Sequence, residues 1–364
     1  VLHVVPHLDR IGGYELQARR LVAHQHRAGL ETTILTHAAR GRPARERHPS
    51  LGPIARLPRG ARRHHPGAWW RAHRGAFDVV HAHAMHTLTG QLVARAARAG
   101  VPSVVKVATE GDLSAFARPD DPSPARRARR SLAFARMRRA DAFVALTPAL
   151  VEEAAGFGLS VRLLPNGVDV ETFTPAGPGG RERARARLGL PARAAVVAVV
   201  CRLEARKRVD LVIDALAHAR RDDVVLVVAG DGPRRSAWEA RARRAGVAAR
   251  WLGLLDDVRP VLHAADICAS ASVREGRPNA LLEAWACGVP TLVSAIAAHE
   301  APASVALRVP PLDVEAWARA LSGLLDDEAA RRVLGVAARR HVVATASLDA
   351  IAARWLELYA ELRG

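Results

Sequence analysis

The chain has 364 residues but only three cysteines, Cys201, Cys268 and Cys287, each far from the others in an apolar context. That spacing supports neither a disulfide framework nor a zinc cluster, and it fits small buried hydrophobes in a reducing compartment. No apolar run reaches the ~18–20 residues that cross a bilayer, so a transmembrane reading fails. The start, VLHVVPHLD, has no basic flank or cleavage site, and its lack of Met reads as a trimmed terminus. A cytoplasmic protein is expected. Gly-x-Gly-x-x-Gly is absent, which argues against a nicotinamide dehydrogenase. Gly-x-Ser-x-Gly and Asp-x-Asp are absent too, which removes a nucleophile elbow and a metal–diphosphate clamp of that type.

Acid is also scarce beside base. Lys and Arg number 54 against 36 Asp and Glu, a formal charge of +18. Residues 1–180 hold 26 basic and 14 acidic side chains, net +12, and the remainder 28 and 22, net +6. RLPRGARRHHPGAWWRAHR lies in a stretch between Glu46 and Asp78 that has seven arginines and no acid. ARRARRSLAFARMRRAD packs seven more into 126–139. Solvated faces of an Arg- and Ala-rich chain would look the same. An anionic partner is the sharper reading, and Trp69-Trp70 beside arginine tilts it towards a membrane surface. Nucleic acid is not expected, because aromatic-studded strands and base-reading modules are missing.

At this length, 49% hydrophobic and 25% charged residues describe a globular chain of about two domains. Apolar β-branched runs such as LHVVPHL, TTILTH, FDVVHAHA, PSVVKVAT, DAFVALT and RLLPNG alternate with helical patterns. A second series follows: AAVVAVVCRL, DVVLVVAGDG, ARWLGLL, ADICASAS and PTLVSAI. Continuous apolar strands covered by helices indicate parallel, right-handed crossover units. The Pro-, Gly- and Arg-rich TFTPAGPGGRERARARLGLPAR separates the two series. The expected fold is α/β: two doubly wound domains facing across a cleft, where ligands bind beyond the carboxyl ends of strands.

Several stretches could carry chemistry. Gly12-Gly13 opens a helix after the first strand and suits close approach of an anion. CRLEARKRVD places Arg202 at a strand end and Lys207 before a helix, within reach of one pyrophosphate, though a solvated basic loop gives the same pattern. In AGDGPRR the glycines read as a turn. His81 and His83 of HAHAMH share one strand face, yet no carboxylate follows at a suggestive spacing, and no metal is expected. In EGRPNALLEAWACGVP, Pro278 suits the first turn of a helix. Glu275 then lies in the loop before that helix and Glu283 within it, at different depths from which the two carboxylates could touch different parts of one ligand. Amides around Gly276, Arg277, Pro278 and Asn279 could bind phosphate or hydroxyl oxygens. A helix-entry acid and an exposed helix residue explain the two glutamates equally well.

These residues resemble those of the family-4 retaining glycosyltransferases of GT-B fold. EGRPNALLEAWACGVPTLVS is similar to that family's pair of glutamates with seven residues between them, and GGYE, FDVVHAHA, ADAFVALTPAL, LLPNGVDVETFTP, CRLEARKRVDLVIDAL and VVAGDGPRR follow its motifs in order. The resemblance implies a first domain at 1–175, a linker at 176–190, a donor domain at 191–345 and a segment 346–364 returning to the first domain. It implies a UDP- or GDP-sugar donor, an acceptor hydroxyl on a lipid-linked, glycan or small molecule, and no cofactor or metal. Arg202 and Lys207 would hold the diphosphate, Glu283 the ribose, and Glu275 with Gly276, Arg277, Pro278 and Asn279 the sugar. Gly12 and Gly13 would close over the phosphates. Glu275, Arg202 and Lys207 are the expected catalytic group. Where relatives carry a histidine after the PSVVKVA strand, this chain has VATEGD, so Glu110, Asp112 and His83 are the acceptor-side candidates. Cys201 stands where glycine is usual, and AIAAHEAP lacks a usual Gly-Gly. Two other readings stay open: a sugar-nucleotide epimerase on the same architecture, and a basic peripheral membrane-binding protein without catalysis.

Overall fold

The structure is a computed structural model that describes residues 1–9, 12–58 and 66–364. Arg59, Arg62 and Arg63 of the first arginine-rich stretch lie outside the described residues. The chain divides into two compact units, Val1–Gly167 with Leu348–Gly364, and Val168–Ser347.

Among the described residues the first unit holds strands β1 (Leu2–Val4), β2 (Thr33–His37), β3 (Arg45–His48), β4 (Gly52–Leu57), β5 (Val80–Ala82), β6 (Ser103–Val107), β7 (Ala142–Ala145) and β8 (Val161–Leu163). Their order is β3-β4-β2-β1-β5-β6-β7-β8, parallel except for β3. β3 and β4 were not expected, because RERH is charged and Pro53 interrupts the apolar pattern of GPIARL. At a sheet edge such a hairpin needs only one buried face. Helices Pro66–His73, Thr87–Arg98, Pro124–Met137 and Pro148–Ala155 cover one face. Gly13–Arg27 and Leu348–Arg363 cover the other, where Leu21 meets Ile351, Trp355, Leu358 and Tyr359. The tryptophan pair does not face solvent together: Trp70 is 3% exposed in the core, and Trp69 stacks on His73 and Phe77.

The second unit holds β9 (Ala195–Val200), β10 (Val224–Ala229), β11 (Ala249–Gly253), β12 (Ile267–Ser270), β13 (Thr291–Ser294) and β14 (Leu307–Val309), ordered β11-β10-β9-β12-β13-β14. All pairs are parallel. β9, AVVAVV, shows why its strands are apolar throughout. Val196 and Ala198 join the core on one face and Val197 and Val199 the core on the other, so the period of two is filled on both sides.

The stretch 176–190 is not a linker, and 168–175 does not belong to the first unit. Helix Gly180–Arg187 is fixed by Arg185, whose guanidinium donates to the buried Asp266 carboxylate at 2.7 Å. The same carboxylate accepts from Val196 N at 2.8 Å, which ties the helix to β9. Arg339 donates to the carbonyls of Val170 and Phe173 at 2.9 and 2.7 Å, and His263 Nε2 to that of Thr174 at 2.9 Å. Proline and glycine here shape a packed crossing. A flexible joint would leave these carbonyls to water.

Candidate active site

Strand order in the second unit reverses between β9, whose next neighbour in sequence lies on one side, and β12 on the other. Ligands of doubly wound sheets bind beyond the carboxyl ends of strands at such a switch point. The segment leaving β9 is Cys201–Lys207, and the segment leaving β12 is Ala271–Pro278. Both carry sequence candidates, and the fold brings them together.

Glu275 is 5% exposed. Lys207 Nζ donates to its Oε1, and Arg206 Nη1 donates to its Oε2 at 2.9 Å. Burial by itself would raise the Glu275 carboxyl, but Lys207 and then Arg206 outweigh it and hold the group below the usual glutamate range. Arg206 also donates from Nε to Glu204 Oε2 at 3.2 Å and from Nη1 to the carbonyl of Arg274 at 3.1 Å. Glu204 Oε1 pairs with Arg202 at 3.0 Å, with the Arg202 side chain 55% exposed. Charges therefore alternate along Arg202, Glu204, Arg206, Glu275 and Lys207. Sequence reading named Arg202 and Lys207 but missed Arg206, since nothing in Ala-Arg-Lys-Arg distinguishes which cation turns inward. A short turn at Ala205–Lys207, followed by left-handed backbone at Arg208 (φ 47°), decides it.

Helix Asn279–Ala286 starts directly after Pro278, so Glu275 and Gly276 lie in the entry loop and Glu283 in the helix. Glu283 is 4% exposed and faces the thiols of Cys268 and Cys287, which burial pushes up to about 12. An exposed-surface role for Glu283 is thereby excluded. Arg277 lies over the Trp285 ring at 5.7 Å, and Trp285 Nε1 donates to Thr291 Oγ1 at 2.9 Å. Burial lowers the Arg277 guanidinium, with Glu300 opposing. First-turn amides of this helix lie at the same sheet end as Glu275, a setting suited to anionic or hydroxyl oxygens.

The neighbouring loops explain two further features. A Cβ at Gly230 (φ 138°) would fall on the carbonyl oxygen of Cys201, so the AGDG turn needs glycine for close approach to the β9 segment. His299 is fully buried, with Nδ1 donating to the carbonyl of Ser294 at 3.0 Å and Nε2 accepting from Ser270 Oγ at 3.3 Å. Burial lowers it to about 4, so it stays neutral beside Glu275.

In the first unit Gly12 precedes helix Gly13–Arg27, and a side chain at Gly12 would run into the Glu15 carboxylate. Asp112 Oδ2 accepts from Thr109 N at 3.0 Å, which shapes the turn, and Glu110 lies partly exposed in that turn. His83, an acceptor-side candidate, is buried within the first unit. It is 1% exposed, hydrogen-bonded to His3 at 3.0 Å and stacked on His81 at 3.9 Å. His81 in turn lies under Trp355 at 4.1 Å, with Nδ1 2.6 Å from the Tyr359 hydroxyl. Register explains the stack: His3 pairs with His81 across β1 and β5, and His83 follows two residues on. Beside it Lys106 donates to Asn166 Oδ1 at 2.7 Å, and burial lowers its ammonium to about 8. A different trio stands at the carboxyl ends of β1, β2 and β5, where the rings of His7, His37 and His86 lie 5.2–6.0 Å apart. Sequence reading did not join these three, because only strand order brings them together.

Both units are doubly wound α/β sheets, and comparison with known proteins gives the family. Residues 11–172 match the family model Glycosyltransferase Family 4, and 194–327 match Glycosyl transferases group 1. The chain is 34% identical to a D-inositol 3-phosphate glycosyltransferase of Salinispora arenicola, over 79% of this chain and 69% of that protein. It is 36% identical to a GDP-mannose-dependent monoacylated alpha-(1-6)-phosphatidylinositol monomannoside mannosyltransferase of Corynebacterium glutamicum, over 52% and 54%. The fold matches sucrose-phosphate synthase of Thermosynechococcus elongatus with a TM-score of 0.83 at 24% identity, covering 99% and 98% of the two chains. It also matches Anabaena HepE in complex with UDP, with a TM-score of 0.84 at 16% identity and 99% of each chain covered. The chain belongs to the family-4, group 1 glycosyltransferases, and its fold is GT-B.

No helix among the described residues is long and apolar enough to cross a membrane.

Proposed function

We propose that the protein transfers a sugar from a nucleoside-diphosphate donor of UDP or GDP type to an acceptor hydroxyl, retaining anomeric configuration and using no metal. The observation that carries this reading is the Lys207–Glu275–Arg206 cluster at the β9/β12 switch point, where a cationic turn meets a buried carboxylate. Relatives support it: one is GDP-mannose-dependent, and HepE has been seen with UDP and with UDP-glucose. Lys207 and Arg202 bind the diphosphate, Glu283 the ribose, and Glu275 with the Gly276–Asn279 backbone the sugar. As the bond from the anomeric carbon to the phosphate oxygen breaks, charge gathers on the leaving diphosphate. Each well-placed donor lowers that barrier by ~2.7–4 kcal/mol. The acceptor oxygen forms the new bond, and its proton passes to the departing phosphate, so no enzyme nucleophile is required.

We assign a second contact, with an anionic membrane surface, to helix Pro124–Met137. Arg126, Arg127 and Arg129 are exposed there, and Leu132 is half exposed. Such a contact would bring a lipid-linked acceptor to the enzyme. Incubation with a panel of UDP- and GDP-sugars, read by mass spectrometry, tests the main reading. Donor hydrolysis or transfer that disappears in Glu283→Gln supports it. No turnover of any donor by the wild type sinks it. Flotation with anionic vesicles tests the surface, and binding equal to that on neutral vesicles removes it.

A further inference from the structure

We infer that Arg206 is the positioning residue of the donor site: it is the resident counter-charge that keeps Glu275 fixed when Lys207 turns to the donor diphosphate. The inference rests on the proposed nucleotide-sugar reading and adds a residue that reading does not assign.

Lys207 has two tasks in that reading, and one ammonium cannot hold both in full. It sits on Glu275 in the structure, and the diphosphate competes for it. A carboxylate 5% exposed that lost its only cation would take up a proton and cease to accept from a sugar hydroxyl. The contacts are arranged so that this does not follow. Lys207 occupies Oε1 and Arg206 occupies Oε2, so one can leave without disturbing the other. Arg206 is also held where it is. Its guanidinium meets Glu204 and the Arg274 carbonyl, and its own carbonyl accepts from Val273 N at 2.9 Å. Side chain and main chain together clamp the loop that carries Glu275.

Several groups near Glu275 are poorer counter-charges. Ser272 contributes a hydroxyl, and Cys201 is a buried thiol pushed up to about 12. His299 has both ring nitrogens engaged and stays neutral. Glu204 has the wrong sign, and Arg208 is bonded to Asp210 at 3.1 Å. Arg206 is thus the cation that remains, and its planar fork suits two carboxylates at once better than an ammonium would.

The experiment compares wild type, Arg206→Gln and Arg206→Lys by calorimetry with UDP and GDP near pH 6, in buffers of different ionisation enthalpy, and by kinetics across pH with the donor found in the panel. In Arg206→Gln, binding of the nucleoside diphosphate should draw up close to one proton that wild type does not take up. Diphosphate affinity should change less than about threefold and kcat fall about tenfold or more, with donor KM nearly unchanged. The acidic limb of kcat should move up by about two pH units or more, and lysine should restore most of it. Wild-type proton uptake, kcat and limb retained in Arg206→Gln would overturn the inference. So would a loss confined to KM and diphosphate affinity, which makes Arg206 a phosphate ligand. A wild type that binds neither nucleotide instead removes the donor reading itself, and this inference with it.

Discussion

Replacing Glu275 by glutamine keeps the volume of a side chain that is 5% exposed and removes only its charge. Two charge-assisted bonds are lost, to Lys207 and Arg206, each worth ~1.5–3 kcal/mol in gross terms. Part is returned, because the Arg206 side chain is 33% exposed and Lys207 12%, so both cations recover water. Burial of the carboxylate also ceases to oppose folding. The net destabilisation is about 2 kcal/mol, a fall in melting temperature of roughly 4–8 °C for a unit of this size. Activity should respond differently. With Lys207 released, affinity for UDP or GDP should hold or rise, while transfer falls about a hundredfold or more, the scale of one lost transition-state contact. Thermal melts, calorimetry with the nucleoside diphosphate and donor turnover read the three effects separately. Transfer within tenfold of wild type would refute the reasoning. Nucleotide affinity falling in step with transfer would refute it too, because Glu275 would then be a support of the fold alone.

Burial lowers His3 to about 3 and holds His81 and His83 well below their ordinary value, so each takes up a proton only when the first unit unfolds. Their contribution is complete above pH 6.5 and declines as pH falls, by up to about 1.4 kcal/mol per histidine per pH unit. Urea melts at pH 7.5 and 5.5 should therefore differ by roughly 4 kcal/mol, and equal stabilities would contradict the buried stack. Asp266→Ala removes the acceptor that joins Arg185 to Val196 N and should cost about 3 kcal/mol. Faster trypsin cleavage at Arg181, Arg183 and Arg185 is the readout, and wild-type resistance would show that the helix is held by packing alone. Gly230→Ala should destabilise the second unit by more than about 2 kcal/mol, since its Cβ meets backbone that cannot swing aside. A melt within 1 °C of wild type would place that turn elsewhere.

Much of the fold was legible because parallel strands buried on both faces must be apolar at every position, as AVVAVV and VVLVVA are. The RERH strand was hidden for the converse reason, that an edge needs little burial and its pattern resembles a solvated loop. The junction was misplaced because proline and glycine mark turns in packed crossings as readily as in linkers. The tryptophan pair misled as well. Adjacent residues on a helix point about 100° apart, so one could enter the core while the other packed at its margin.

The candidate site divides along the same line. By itself the sequence determined the residue types and their order: two lysines in the whole chain, one of them in ARKR, and two glutamates flanking a Gly-Arg-Pro-Asn turn. It also determined that Glu275 precedes a helix and Glu283 lies inside one, because proline ends extended chain and starts helices locally. Only the tertiary structure decided that the β9 and β12 segments meet, since strand order is set by nonlocal packing and leaves no trace in either segment. That meeting selected Arg206 and Lys207 from four neighbouring cations as partners of Glu275. It also placed His81 and His83 beneath a helix more than 260 residues later in the chain.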